Sequence, residues 1–409
     1  MVEQNGSQIT ANTRGNSIDF GLQRKRSIKE ETECMEAFAD LPDALVRDLL
    51  AKAAPVAEGV SQNLQALRDA RARLYTEARN HRLICRKADL DVPREPSVVG
   101  VDGSYQVHRL TALDLCAAAA VAVEGTSKEA ARYWPEPYHD MWVDGLPHCI
   151  DAVGVLRGTM VSMEMALAAK APHDLVLLDG SFSSLVIYLN QALTRIADSS
   201  KTLSEFFLDR WKGGALDQLK GLLTSERTVA MPKFTSRNEF LRENMLNPPV
   251  MVDGKTLATM ILDPGEYTRP LPLHDATDPA SQQVDHLPEK YCPTKDMDEI
   301  REALNRLSVI YFRPYGWLPA LRMELPSAIT SSNTRLSIVL EGISRQFFSP
   351  AVIEPYPLFL ADRMVKSLGS GVAVIEQTVA QHVAGSSPDI ENTLLFLQNY
   401  RTEGGRGGV

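Results

Sequence analysis

Two apolar runs, each ending in Asp-Gly-Ser, constrain this chain more than any other feature. They are Ser97-Val-Val-Gly-Val-Asp102-Gly103-Ser104 and Leu175-Val-Leu-Leu-Asp179-Gly180-Ser181. A short run of aliphatic residues reads as a buried strand, and Asp-Gly reads as a turn. Each copy therefore puts a carboxylate where a strand leaves the core, the place where open α/β sheets carry their chemistry. Asp144-Gly145 and Asp253-Gly254 are further Asp-Gly pairs. Neither combines a following Ser with an apolar run of this strength, so they read as ordinary turns.

The rest of the chain fits an α/β protein. Leu41, Leu45, Leu49, Leu64, Leu67 and Leu74 recur at helical spacing, and Pro55 divides them into a short helix followed by a long one over 56–84. Strands are expected over 98–102, 105–109 and 114–123, with a turn at Asp102-Gly103-Ser104. A helix follows over 152–170, then a strand over 175–178 and a helix over 185–197. Further strands are predicted over 228–231, 256–262 and 309–314, and 263–295 reads as a long surface loop. Strand, two more strands, helix, strand, helix is the order of a ribonuclease H-like core: a mixed sheet flanked by helices, here behind an N-terminal helical arm. The domain reading is a disordered extension over 1–30, the arm over 31–92, the core domain over 93–390 and a Gly-rich flexible tail over 391–409.

Composition limits the function classes. The 409 residues are 44% hydrophobic and 23% charged, with a formal net charge of −9, so no basic excess advertises a nucleic-acid binder. Five scattered cysteines without CxxC spacing argue against zinc knuckles and disulfide scaffolds and for reduced thiols in a cytoplasmic protein. No apolar stretch approaches the roughly 20 residues that span a bilayer, so no membrane association is expected. The absence of GxxxxGK[ST] means that any ATP-driven movement comes from a partner.

Carboxylates are the ligands hard divalent cations prefer, and phosphodiester hydrolysis commonly uses two such ions. Asp102 and Asp179 supply two ligands. Glu164 is the candidate third, because it sits on the otherwise apolar segment Met160-Val-Ser-Met-Glu164-Met-Ala-Leu, where a charge either faces solvent or needs a partner.

The two Asp-Gly-Ser strands, the Met-Glu164-Met helix and Tyr356-Pro-Leu-Phe-Leu-Ala-Asp362-Arg363 together resemble a NurA-family nuclease. Ala230-Met-Pro-Lys233-Phe-Thr-Ser, Met260-Ile-Leu-Asp-Pro-Gly265-Glu and Leu321-Arg-Met-Glu-Leu-Pro agree in order, and the likeness runs over about 98–379. The resemblance implies a manganese- or magnesium-dependent deoxyribonuclease, with two ions and a homodimeric state. It also implies partnership with a HerA-type hexameric ATPase on DNA, in repair or in defence against invading DNA. It makes Asp102, Glu164 and Asp179 catalytic and metal-holding. Asp362 stands as a metal ligand where the family often has histidine, and Lys233 becomes a DNA phosphate contact. Two other readings compete: an interaction subunit without catalysis, and an actin-like ATPase or kinase whose adenosine contact would be Leu368-Gly-Ser-Gly371.

Overall fold

In a computed structural model, residues 41–91, 94–127, 132–149, 151–274, 286–386 and 389–398 are described. The expected extension over 1–30 lies outside them, as do 275–285 and most of the tail. The chain divides into two compact units, 1–66 and 67–409. Helix α1, Asp43–Asn80, crosses that division and runs unbroken through Pro55. The expected break is absent because proline removes one backbone hydrogen bond, and the Ala- and Leu-rich flanks keep the helical geometry on both sides. In the first unit the apolar stripe Leu45, Leu49, Val56, Val60 and Leu64 is exposed. In the second, Leu74 and Ala78 enter the core, and Tyr75 donates a hydrogen bond to Glu266.

The second unit is built on one sheet. Its strands are β1 (Ile84–Arg86), β2 (Val98–Arg109), β3 (Asp114–Glu124), β4 (Tyr138–Leu146), β5 (Leu175–Asp179), β6 (Thr228–Met231), β7 (Glu266–Thr268), β8 (Leu271–Pro272), β9 (Ser308–Arg313) and β10 (Leu321–Leu325). Their order is β1-β7-β9-β10-β6-β5-β2-β3-β4, with β8 also on β9. β2 is antiparallel to β3 and parallel to β5, and β5 is parallel to β6. That central five-strand arrangement is the ribonuclease H-like core, and β10, β9, β7 and β1 extend it on one side.

Four expectations change. Asp102-Gly103-Ser104 is no turn: it lies inside the 12-residue strand β2, because Val121, Ala120 and Ala119 of β3 pair with it residue for residue. Asp144-Gly145 likewise lies within β4. Residues 256–262 form a helix, α6 below, rather than a strand, since Asp253 accepts a hydrogen bond from the Thr256 amide at 2.9 Å as its N-cap. The 263–295 stretch carries β7 and β8, whose Tyr267, Thr268 and Leu271 are buried.

Helices cover both faces. On one lie α2 (Ala152–Lys170), α3 (Phe182–Arg195), α4 (Lys201–Arg210), α5 (Leu216–Leu223), α6 (Gly254–Ile261) and α7 (Thr294–Asn305), packed with Val99 and Val101 of β2. On the other lie α8 (Asn333–Ser344) and α9 (Tyr356–Lys366), packed with Val98, Leu175 and Leu177. Helix α10 (Leu368–Ser386) contains Leu368-Gly-Ser-Gly371, so that segment is not the loop an adenosine contact needs. Among the described residues, only α2 is long and apolar enough to cross a membrane, contrary to the sequence expectation, and 83% of its apolar window is buried within the protein.

Candidate metal centre

Strand alternation decides which residues meet. Val99 and Val101 face α2, so Asp102 belongs with Val98 on the opposite face, toward α9. On β5, Leu175 and Leu177 face α9, and Asp179 keeps that parity. Beyond β6, Lys233 follows Met231 by two residues and does the same. Val101 is paired with Leu178, and Asp179 with Met231, so Asp102, inside β2, lies beside the carboxyl ends of β5 and β6, where Asp179 and Lys233 emerge.

Helix α9 brings the fourth member. Gly100 lets it approach: a Cβ there would stand 2.6 Å from the backbone of Pro357 and Leu358. One turn further along α9, Asp362 reaches the strand ends. Carboxylate oxygens of Asp102, Asp179 and Asp362 all lie within 4.8 Å of one another. The Lys233 ammonium sits among the acids, 2.8 Å from Asp179, 2.9 Å from Asp362 and 3.1 Å from Glu354. Lys366 holds the other oxygen of Asp362 at 2.8 Å.

Glu164 arrives from the other face. It is 6% exposed, which removes the solvent-facing alternative, but it stands outside the group of three. It lies over Gly103, where a Cβ would come within 2.4 Å of its Oε1. Glycine at 103 therefore provides a slot for a carboxylate rather than a turn.

The electrostatics are those of crowded acids. Burial, and then the neighbouring Asp179 charge, push the Asp102 carboxyl up to about 8. Burial and the charges of Asp102 and Asp179 raise Glu164 well above the usual carboxylate range. Burial also acts on Asp362, but hydrogen bonds from Lys366 and Lys233 outweigh it and hold this acid below its ordinary value. Lys233 is raised despite its burial, chiefly by its hydrogen bond to Asp179. Five acids, Asp102, Glu164, Asp179, Glu354 and Asp362, share this space with Lys233 and Lys366, and every potential ligand is a carboxylate oxygen. That donor set fits a hard divalent cation.

The centre rests on a buried ion network behind β6. Arg322 binds Glu239 at 2.8 Å and Glu324 at 2.5 Å, and Tyr311 donates to Glu239. Glu324 also accepts the Phe182 amide at 3.0 Å. It thereby fixes the start of α3 directly after the Asp179-Gly180-Ser181 turn, where Gly180 has φ 94° and Ser181 is the N-cap.

Sequence reasoning named Asp102, Glu164, Asp179, Lys233 and Asp362, and the fold gathers all five in this region. It missed Glu354, Lys366 and Lys255, whose Nζ donates to the Lys233 carbonyl at 3.3 Å. Lys366 had a signal, since it stands four residues after Asp362 on a helix. Glu354 and Lys255 had none.

The structure superposes on the NurA nuclease from Sulfolobus solfataricus with a TM-score of 0.55 over 84% of this chain and 98% of that one, at 11% identity. The chain has the NurA fold. Two further NurA structures superpose less closely. One with manganese gives a TM-score of 0.47 at 12% identity, covering 82% of this chain and 99% of that one. One bound to dAMP and manganese gives 0.45 at 13% identity, covering 84% and 99%. No protein-family model and no curated protein matches the chain. On this fold the acidic cluster of this chain lies where Asp102, inside β2, meets the carboxyl end of β5.

Proposed function

We propose that the chain is a metal-dependent deoxyribonuclease, its nuclease domain spanning about 93–390. It cuts DNA as a homodimer fed by a HerA-type hexameric ATPase, in DNA repair or in defence against invading DNA. The observation that carries this reading is the convergence of the Asp102, Asp179 and Asp362 oxygens within 4.8 Å on the central strands β2 and β5 of a ribonuclease H-like sheet. The absence of GxxxxGK[ST] supports a separate motor.

Asp102, Asp179 and Asp362, with Glu164 behind them, would hold one or two manganese or magnesium ions. Such ions neutralise the scissile phosphate and supply hydroxide near neutral pH. The chain's own groups do the rest. Asp102, whose carboxyl burial and Asp179 push up to about 8, would have to give up its proton for the acids to hold a cation. Lys233, freed from the carboxylates by a cation, would donate its N–H groups to a phosphate oxygen beside the centre. Helix α9 and strand β5 keep the acids on one side of the reacting phosphate.

The test is cleavage of end-labelled linear and closed circular duplex DNA with manganese, magnesium or EDTA. Wild type is compared with Asp102→Ala and Asp179→Ala, with and without a HerA-type ATPase. Expected is metal-dependent cutting that falls at least a thousandfold in both variants while their circular dichroism is unchanged. Cutting retained by either pure variant would refute the assignment. One observation favours the interaction-subunit reading: Lys233 and Lys366 already neutralise part of the centre. Calorimetry separates the two, because a vestigial centre takes up no manganese.

A further inference from the structure

Phe234 is 93% exposed, yet the loop that carries it is pinned on both sides. Before it, the Lys233 side chain is bound by Asp179 and Asp362, and the Lys233 carbonyl accepts from Lys255. After it, the Arg237 carbonyl accepts from the Gly254 amide at 2.9 Å, while Pro232 ends β6 without offering an amide. A flexible loop can fold an aromatic ring back onto its own surface. This one, tied before and after the ring, holds it out in water.

Its position gives the ring a use. From standard Cα spacing and the reach of a lysine, the Phe234 Cα lies within about 13 Å of the Asp179 carboxylate. That is one to two nucleotide steps from a phosphate at the metal centre. Lys255 and Lys233 stand beside it, Lys233 paired with Asp179, Asp362 and Glu354 until a cation takes its place, and Ile353, next to Glu354, adds exposed apolar surface on the facing loop. A flat aromatic ring among lysines, a nucleotide or two from a phosphate-cutting centre, matches how proteins hold single strands. The bases stack on the ring and the backbone follows the positive charge. A paired terminal base is already stacked on its neighbour and gains less.

We propose that Phe234 is a stacking residue for an unpaired base, so that the centre takes single-stranded or frayed DNA ends in preference to closed duplex. This rests on the nuclease reading for the position of the phosphate.

The test is fluorescence anisotropy of a labelled (dT)12 and of a blunt, fully paired hairpin, with calcium in place of manganese. Wild type, Phe234→Ala and Phe234→Trp are compared, and manganese-dependent cleavage of the same oligonucleotides is followed in parallel. Expected is at least a fivefold loss of (dT)12 affinity in Phe234→Ala, a change below twofold for the hairpin, and restoration by Phe234→Trp with quenching of the new indole. Equal (dT)12 affinity in wild type and Phe234→Ala would overturn the proposal and leave the nuclease reading standing. Phe234-dependent (dT)12 binding by a wild type that cuts nothing would support the stacking role and refute the nuclease.

Discussion

Lys233 is the residue on which the centre turns. It pairs with Asp179, Asp362 and Glu354 together, doing with one ammonium what a divalent ion would do with two charges. A cation entering the cluster must break those contacts, and a charge-assisted hydrogen bond of this kind contributes about 1.5–3 kcal/mol. Lys233→Gln is therefore expected to bind manganese about tenfold more tightly in calorimetry, tenfold being about 1.4 kcal/mol, even as DNA affinity falls. Unchanged or weaker manganese binding would mean that the lysine and the ion do not compete. The family resemblance supplied Lys233 as a phosphate contact, but not its three carboxylate partners. Those come from β5, a loop and α9, and no local pattern links them.

At the level of elements, the second Asp-Gly-Ser behaves as its sequence suggests and the first does not. After β5, Gly180 has a positive φ and Ser181 caps α3. Within β2 the same three residues remain extended, because β3 pairs with them and α2 needs the space above Gly103. Gly103→Ala drives a methyl into the Glu164 carboxylate and Met160 and is expected to cost about 1–3 kcal/mol, the usual range for overpacking. Gly213→Ala, with nothing near its added carbon, should change stability by less than about 0.5 kcal/mol. Chemical denaturation measures both. Adding Glu164→Ala should recover much of the Gly103→Ala loss if the clash is the cause. The core helix α2 and strands β5 and β6 were readable from their apolar runs. Residues 256–262 were misread because a short apolar run looks alike in helix and strand, and only the Asp253 cap tells them apart. Strand parity, by contrast, needed the structure: both runs are apolar at every position, and only the pairing of Val101 with Leu178 puts Asp102 and Asp179 on one face.

For the whole molecule, the crowded acids link stability to pH. Asp102 is raised from 3.8 to about 8 on folding, so the native state holds a proton that the unfolded chain releases. Its contribution is full below about pH 4 and is lost as pH rises toward 8, and Glu164, also raised, acts in the same direction. The Tm of the metal-free protein should therefore fall between pH 5 and 8, and manganese should restore it most at pH 8. His148 is raised too, first through its contact with the Thr111 carbonyl and then through Asp114. Comparison with Asp102→Asn, whose slope should be shallower, isolates the centre; equal slopes would show that Asp102 carries no proton there. The same centre draws its members from distant parts of the chain, and the contact between Lys233 and Asp362 alone spans 129 residues. During synthesis N-terminal segments fold first, so a ribosome carrying the half-made sheet displays Asp102 and Asp179 without α9. The acidic cluster is therefore complete only after α9, and Asp362 with it, has left the ribosome.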